Sequence, residues 1–242
     1  MFNIIARLHE LEADIYYREP APYDLPEYTY LPGRLPVLLS APHGAAHIRN
    51  GKLKLPDEYT ASFARLVAER TGAPVLYTHH KSDTDPNYDR ESPYKAYLAQ
   101  IIRTASIRFV IDIHGASPRR HFGIALGTMH GRSCPPHLRQ LIIDTLCQFG
   151  FATGGDNLHR LDRLDIDNIF PGGEKQHTVT SFVSQTLKIP AAQFELNAYL
   201  RTYQPFPAPD GWAFTGDPPR IQRTVNAFVA LVQRLSEVLA GE

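Results

Sequence analysis

The prediction of the fold starts from the stretch Phe109-Val-Ile-Asp-Ile-His-Gly-Ala116. Its apolar run is interrupted only by Asp112 and leads directly into His114, which is typical of a short buried strand. Because side chains alternate along a strand, Asp112 and His114 point to the same face. Gly115 is expected to let the chain leave the strand in a conformation that a residue with a Cβ resists. Such a strand can deliver a rigid histidine to the carboxyl edge of an α/β sheet.

A second stretch, Pro36-Val-Leu-Leu-Ser-Ala-Pro-His-Gly44, has the same form. It is also an apolar strand that runs into a His-Gly pair. Taken alone, His114 is explained as readily by a histidine that is satisfied within the core. Two strands that each end in His-Gly favour a shared site containing His43 and His114.

The composition is that of an ordinary soluble globular protein, with 43% hydrophobic and 21% charged residues. Lys+Arg and Asp+Glu balance at 25 each, so net charge gives no argument for nucleic acid or an anionic membrane surface as a partner. No apolar run approaches the ~20 residues of a membrane span. We therefore expect one domain over residues 1–242, in which residues 1–34 supply an N-terminal helix and an extended lead-in.

The cysteine and histidine content bears on the compartment and the chemistry. Cys134 and Cys147 lie 13 positions apart, which indicates neither a disulfide framework nor a cysteine metal cluster. A reducing cytoplasm is the expected location. The 11 histidines are the one compositional hint of metal or acid–base chemistry.

Strand and helix patterns alternate through most of the chain. Strands are predicted over residues 35–40, 74–78, 109–113, 122–128 and 191–196, with an edge strand within 151–173. Helices are predicted over residues 57–71, 94–105, 135–149, 178–187 and 218–239. Loops are predicted over residues 17–35, 81–93 and 205–217. This alternation favours a three-layer α/β fold with a mixed, mostly parallel sheet covered by helices on both faces.

His43 and His114 are candidate metal ligands. A hydrolytic zinc site usually takes three protein ligands and a water, whose lowered pKa makes it a usable nucleophile. The third ligand is open between Asp57, Glu58 and His47. Asp57 is equally explained as a carboxylate at a helix N-terminus, and His47 as a solvated loop histidine. The absence of HExxH from the sequence excludes a zincin.

Glu195 lies inside the apolar strand predicted over residues 191–196. A carboxylate in a buried strand is costly unless it is paired, bound to a metal or catalytic. It is therefore the candidate general base for the attacking water and general acid for the leaving group. Asn197, two residues on, shares its face.

Several arginines are candidate anion anchors, although each alone is typical of a solvated surface charge. Arg90, Arg119 and Arg201 are candidates for holding a substrate carboxylate, which arginine binds bidentately. Arg120 is the candidate for stabilising the oxyanion of a tetrahedral intermediate. A Gly-Gly turn that contains Gly173 leads into a predicted helix and is a further candidate anion site.

Five motifs together resemble the N-formylglutamate amidohydrolase family. They are Ala41-Pro-His-Gly44, Asp85-Pro-Asn-Tyr-Asp89, Ile111-Asp-Ile-His-Gly115, Pro171-Gly-Gly173 with Thr178, and Gln193-Phe-Glu-Leu-Asn197. Their order and spacing match the family from about residue 35 to residue 203. The family is similar to zinc carboxypeptidases and aspartoacylases, which implies a phosphorylase/hydrolase-like α/β fold.

The resemblance implies a zinc-dependent amidohydrolase that cleaves a small acyl-amino acid or a similar amide, with one metal ion per chain. His43 and His114 match the metal histidines, Asp57 best matches the acidic ligand, and Glu195 matches the catalytic glutamate. The substrate is expected to be a small molecule with a carboxylate, and neither nucleic acid nor a membrane is expected as a partner. The sequence does not indicate the oligomeric state. The residues expected to bind substrate are Asn87, Arg90, Arg119, Gly173, Thr178, Asn197 and Arg201.

The chain departs from the family at two places. Tyr88 stands where the family's Asp-x-Asn-Arg motif has its arginine, so Arg90 is the candidate replacement. Ala46 stands where a carboxypeptidase HxxE motif has its glutamate. Two other functions stay open: a carboxypeptidase-like peptidase, and a non-catalytic ligand-binding protein on the same fold.

Overall fold

A seven-stranded sheet forms the centre of the molecule. The computed structural model describes residues 3–155, 157–173, 176–204 and 215–241. The strands are β1 Tyr16–Pro20, β2 Tyr28–Leu31, β3 Val37–Ala41, β4 His47–Arg49, β5 Lys52–Lys54, β6 Val75–Thr78, β7 His80–Lys81, β8 Phe109–Ala116, β9 Ile124–Gly127, β10 Leu164–Ile166 and β11 Ala191–Asn197. The central sheet has the order β10-β9-β11-β8-β3-β6-β2, while β1 pairs with β7 and β4 with β5.

The central sheet is mixed and mostly parallel, as predicted. Strands β11, β8, β3 and β6 run parallel to one another, and β10 runs parallel to β9. The antiparallel pairs are β9 with β11 and β2 with β6. The carboxyl ends of β11, β8 and β3 therefore lie side by side at one edge, which is where a parallel sheet usually places its site.

Helices cover both faces of the sheet. They are α1 Ile4–Glu12, α2 Thr60–Thr71, α3 Pro93–Thr104, α4 Pro136–Gln148, α5 Val179–Ser181 and α6 Pro218–Gly241. Helices α1, α2, α4 and α6 pack on one face, and α3 and α5 pack on the other. Strand β8 serves both layers, since Phe109, Ile111 and Ile113 belong to the first core and Val110 to the second. The predicted three-layer fold is thus confirmed.

Local sequence explains how the helices begin and end. Ser92 caps α3 by accepting a hydrogen bond from the backbone N–H of Lys95, and Pro93 fills the first turn. Gly72 ends α2 with a φ of 79°, a left-handed conformation that glycine adopts without strain. No helix in the described ranges is both long enough and apolar enough to cross a membrane.

Four local predictions differ from the structure. Residues 17–35 are not one extended loop, because β1 and β2 form there and β2 is an edge strand of the central sheet. Helix α2 begins at Thr60 and not at residue 57, since Tyr59 has a left-handed φ of 63°. The helix predicted over residues 178–187 is the short α5, followed by a π-helical turn over Phe182–Thr186. Lys81, predicted to lie in a loop, ends β7.

The edge strand predicted within residues 151–173 is confirmed, and it is β10. Most of the loop predicted over residues 205–217 lies outside the described residues, because 205–214 are not among them.

Candidate metal centre

Three of the predicted functional residues meet at the carboxyl edge of the sheet. Glu195 on β11 is the register partner of His114 on β8, and β3 pairs with the other side of β8. His43 follows the end of β3 by two residues. His43, His114 and Glu195 all line one cavity of about 630 Å³ at this edge.

The glycine after each histidine is required by a close contact. A Cβ on Gly44 would lie 2.4 Å from the carbonyl oxygen of Thr78, and a Cβ on Gly115 would lie 2.3 Å from Nη2 of Arg201. Strand β8 continues through Gly115 to Ala116. The reason predicted for Gly115 was therefore wrong, because the chain does not leave the strand there. A side chain at this position is instead disfavoured by the nearby guanidinium of Arg201.

Asp57 completes a group of three donor atoms with the two histidines. Its Oδ2 lies 3.4 Å from His43 Nδ1 and 3.5 Å from His114 Nδ1. Donor atoms bound at ~2.0–2.1 Å to one tetrahedral zinc ion lie about 3.3 to 3.4 Å apart. The two distances from Asp57 Oδ2 and the donor chemistry, two imidazole nitrogens and a carboxylate oxygen, fit a divalent metal ion, and all three donor atoms lie within 4.8 Å of one another.

The outer nitrogen of each imidazole faces a buried carboxylate. His43 Nε2 lies 2.9 Å from Asp85 Oδ1, and His114 Nε2 lies 3.2 Å from Asp112 Oδ2. Histidines that bind a metal through one nitrogen commonly donate the other N–H to such a partner, which fixes the tautomer and the ring orientation. Both rings present Nδ1 to Asp57, whose Oδ2 lies within 3.5 Å of each.

His47, one of the alternatives for the third ligand, lies on the far side of His43. The two rings stack with centroids 4.0 Å apart, and His47 Nε2 is 3.3 Å from Asp85 Oδ2. His43, His47 and Asp85 form a second possible ligand group. Its carboxylate already accepts hydrogen bonds from Arg49 Nε and the backbone N–H of Asn87, which leaves it poorly suited to a metal.

Glu58, the other alternative, belongs to neither of the two groups found among the described residues. Asp57 is the alternative that lies against both His43 and His114. It occupies the loop before α2 rather than the first turn of that helix.

The charges of Asp57, His43 and His114, called here the metal-ligand group because they could hold a metal ion, reinforce one another. Burial alone would raise the pKa of Asp57, but the imidazoles of His114 and His43 lower it below its ordinary range. Burial lowers the pKa of His43, yet hydrogen bonds to Asp57 and Asp85 outweigh this effect and raise it. The pKa of His114 is likewise raised, because Asp112 and Asp57 outweigh its burial. The carboxylate of Asp57 is therefore stabilised as an anion by the two imidazoles, and a metal cation bound by the three side chains would supply the same positive charge.

Glu195 faces the same cavity, and its pKa is shifted in the opposite direction from that of Asp57. Burial raises its pKa to about 6, and the nearby His114 opposes this rise. Its Oε1 accepts a hydrogen bond of 2.9 Å from Gln193 Nε2. A carboxyl with a pKa near neutrality can both take up and release a proton at physiological pH.

Two loops form a wall of the cavity beside His114. Asn87 Nδ2 lies 2.9 Å from His114 Nε2, and Asn87 Oδ1 accepts a hydrogen bond from the N–H of Val179. Thr178 Oγ1 donates to the carbonyl of Gly172, and a Cβ on Gly173 would lie 2.5 Å from that hydroxyl. The predicted substrate residues Asn87, Gly173 and Thr178 therefore belong to one wall.

The same two loops are tied together by a buried lysine. Lys95 Nζ donates to the carbonyl of Asp89 and to that of His177. Burial lowers the pKa of Lys95 to about 8.

The predicted arginines are divided between the cavity and its surroundings. Arg120 lines the cavity, and its guanidinium carbon lies 5.2 Å from the centroid of the Phe170 ring. Arg90 and Arg119 are exposed and are not among the described residues that line it. Arg201 is buried behind Gly115, and its Nε and Nη1 have no hydrogen-bond partner within the part of the chain that the structure describes.

Asn197 shares the face of Glu195 but is fully buried and is not among the described residues that line the cavity. Its Nδ2 donates to the carbonyl of Phe122 at 3.0 Å and to that of Arg120 at 3.3 Å. Asn197 thus holds the loop that carries Arg120.

Three residues of this site were missed by sequence reasoning. Asp85 accepts from His43 and Arg49, Gln193 orients Glu195, and Arg49 lines the cavity. Asp85 stands two residues before Asn87 in one of the quoted motifs, and Gln193 stands two residues before Glu195 on the same strand face. Either spacing could have signalled them, whereas no local pattern marks Arg49.

No family model matches the sequence, and no curated protein matches it significantly. Solved structures do match. N-formylglutamate amidohydrolase from Ralstonia eutropha JMP134 aligns with a TM-score of 0.59 at 14% identity, covering 88% of this chain and 98% of that one. A gene product of Agrobacterium tumefaciens aligns with a TM-score of 0.54 at 13% identity, covering 88% and 94%. A metallo-carboxypeptidase from Pseudomonas aeruginosa aligns with a TM-score of 0.50 at 15% identity, covering 98% and 68%.

These likenesses concern the fold, since the identities are low. They extend over nearly the whole of this chain and include both protein classes that the sequence motifs indicate. The chain therefore has the fold that N-formylglutamate amidohydrolase shares with metallo-carboxypeptidases.

Proposed function

We propose that the chain is a metal-dependent hydrolase of C–N bonds that cleaves the amide of a small acyl-amino acid. The observation that carries this proposal is that Asp57 Oδ2 lies 3.4 Å from His43 Nδ1 and 3.5 Å from His114 Nδ1, close to the separation of two ligands of one tetrahedral ion. Glu195 lines the same cavity, and a base beside a three-ligand metal group is the arrangement that hydrolysis requires. The fold shared with an amidohydrolase and a metallo-carboxypeptidase supports the same conclusion.

Zinc is the proposed metal, because two imidazoles and one carboxylate are a common catalytic zinc set. When bound, the metal supplies Lewis acidity that polarises an amide carbonyl and makes a water molecule more acidic. The three donors come from the loop after β3, the loop before α2 and strand β8. Asp85 and Asp112 hold the two imidazoles from behind.

Glu195 is the proposed general base and general acid. Its carboxylate takes a proton from the attacking water and then delivers that proton to the leaving nitrogen. A pKa of about 6 suits both steps near neutral pH. The hydrogen bond from Gln193 Nε2 leaves Oε2 as the oxygen that exchanges the proton.

The remaining predicted residues are proposed to have different roles, according to whether they line the cavity, lie behind it or lie outside it. Arg120 lines the cavity and is the proposed partner of the negative charge that develops on the carbonyl oxygen. The wall that contains Asn87, Gly173 and Thr178 is proposed to contact the substrate. Asn197 and Arg201 are proposed to act from behind, on the Arg120 loop and on Gly115. Arg90 and Arg119 lie outside the cavity and are proposed to contact only a substrate that extends beyond it.

The test combines metal analysis with one substitution. Protein purified without added metal should carry about one transition-metal ion per chain and hydrolyse a member of a panel of acyl-amino acids. Glu195→Gln should keep the metal and lose turnover by about a hundredfold or more, the usual contribution of acid–base catalysis. Glu91→Gln, at an exposed carboxylate, is the matched control and should change neither. Protein that holds no metal and ignores added zinc would contradict the proposal.

The same experiment decides two alternatives when acyl-dipeptides are added to the panel and ligand binding is measured. A peptidase would cleave acyl-dipeptides in preference to acyl-amino acids. A non-catalytic binding protein would retain metal and ligand but show no turnover that depends on Glu195.

A further inference from the structure

Arg49 reaches the cavity from an element that the sequence did not reveal. It ends β4, which pairs with β5 in a hairpin inserted between His43 and Asp57. It lines the cavity together with Asn87, on the side of His43. A cationic side chain is thus supplied next to the metal-ligand group by a short polar hairpin.

The guanidinium of Arg49 is fixed on two sides. Its Nε donates a hydrogen bond to Asp85 Oδ2, and its central carbon lies 5.5 Å from the centroid of the Tyr88 ring. Tyr88 is itself held, because Asn50 Nδ2 donates to its hydroxyl at 2.9 Å. An arginine held in this way loses little conformational freedom when it binds a ligand.

The outer end of Arg49 is not used by these contacts. Among the described residues, neither Nη1 nor Nη2 has a hydrogen-bond acceptor, and the side chain is 28% exposed. Two parallel N–H groups of this kind match the two oxygens of a carboxylate. Arg120, the other arginine on the cavity, lies on an exposed loop and contacts the Phe170 ring rather than a supporting carboxylate in the described ranges.

Asp85 joins this arginine to the metal-ligand group. One of its oxygens accepts from Arg49 Nε, and the other lies 2.9 Å from His43 Nε2. A ligand anion on Arg49 is therefore held at a fixed separation from His43. The anionic group bound by Arg49 is therefore one that lies close to the reacting amide of the substrate, rather than one at the far end of a long substrate.

We propose that Arg49 binds the carboxylate of the amino-acid part of the substrate. The ligand class is an acyl-amino acid with a free carboxylate close to its amide, and a neutral carboxamide in that position is disfavoured. This proposal rests on the proposed function, in that the site it serves is the metal-dependent amide site.

The experiment measures binding and not turnover. Metal-loaded Glu195→Gln protein is titrated with N-acetylalanine and with its neutral carboxamide, and the dissociation constants are compared by calorimetry. The carboxylate should bind on the order of tenfold to a hundredfold more tightly, as a charge-assisted pair would give. Adding Arg49→Gln should abolish this preference, and Arg49→Lys should restore part of it because the charge returns without the planar fork.

A control variant distinguishes a specific anchor from a general effect of positive charge. Arg103→Gln, at an exposed arginine on α3 outside the cavity, should keep the preference. A preference that survives Arg49→Gln, or equal binding of the two probes to the parent protein, would overturn the proposal. Loss of metal from Arg49→Gln would also overturn it, because Arg49 would then act on His43 through Asp85. A carboxylate preference that depends on Arg49 in a protein without hydrolytic activity would support the anchor and contradict the enzyme.

Discussion

At the scale of single residues, the His-Gly pairs carry the candidate site, and each glycine has a separate steric cause. Gly44 lies against the backbone of Thr78, while Gly115 lies against the end of the Arg201 side chain. A backbone carbonyl cannot swing aside as a side chain can. Gly44 is therefore the less replaceable of the two glycines.

Replacing Gly44 by alanine should destabilise the protein. The new Cβ would lie 2.4 Å from the Thr78 oxygen and 2.6 Å from the Ala61 Cβ, so β3, β6 or α2 must move. Forced overpacking of this kind costs about 1–3 kcal/mol, which urea unfolding measures as a lower midpoint. Gly154→Ala, at a glycine with no atom within 4 Å of its added Cβ, is the matched control and should leave the midpoint nearly unchanged. Equal midpoints for the two variants would show that the close contact with Thr78 does not require glycine at position 44.

At the scale of elements, the sequence predicts the strands and helices that have a regular pattern of apolar residues. Strands β3, β8 and β11 are mostly apolar, and their predicted positions agree with the structure within a few residues. The hairpin β4–β5 was missed because its two three-residue strands, His47–Arg49 and Lys52–Lys54, are mostly polar and, apart from the buried His47, half or fully exposed. Strands of three residues are too short to show a recognisable alternation of apolar and polar residues in the sequence.

The same limit explains which parts of the site were predictable. His43, His114 and Glu195 stand out because polar residues in apolar strands are unusual. Arg49 lies in a stretch of mostly polar residues that shows no pattern, and the folded hairpin brings it to the cavity. The distance between Asp57 and the histidines likewise depends on Tyr59, whose left-handed φ delays the start of α2.

The junction of α1 and α2 is built on a buried carboxyl and predicts a pH effect. Glu12 accepts hydrogen bonds from the N–H of Tyr59, from Ser62 Oγ and from the Tyr17 hydroxyl. Burial raises its pKa from 4.5 to about 7, despite these hydrogen bonds. Between these two values the folded protein holds a proton on Glu12 that the unfolded chain has released. This contribution to stability is therefore complete below pH 4.5 and lost as the pH rises through 7, with a total of about 3 kcal/mol.

Glu12→Gln removes this titration. The amide can still accept from Tyr59 and can donate to Ser62 Oγ, so the junction keeps its hydrogen bonds. We expect the variant to gain stability relative to the parent as the pH is raised from 5 to 8. Urea midpoints of both proteins at intervals across this range provide the measurement. A difference between them that stays constant with pH would assign Glu12 an ordinary pKa.

At the scale of the whole molecule, the candidate metal centre joins segments that are far apart in sequence. His43, Asp57 and His114 follow β3, precede α2 and end β8, and the first core lies under all three elements. An unfolded chain cannot bring these donors together. A metal ion bound by them would therefore stabilise the folded state alone and link the sheet to α2.

Metal addition should accordingly raise the melting temperature. At a free metal concentration about a hundred times the dissociation constant, linkage gives about 2.7 kcal/mol, or roughly 5–10 °C for a chain of this size. His114→Ala should lose most of this shift, because two ligands remain where three are needed. His121→Ala, at an exposed histidine outside the ligand group, should keep it. A shift that is the same in both variants would locate the bound metal at other histidines and remove the basis for a catalytic ion at this edge of the sheet.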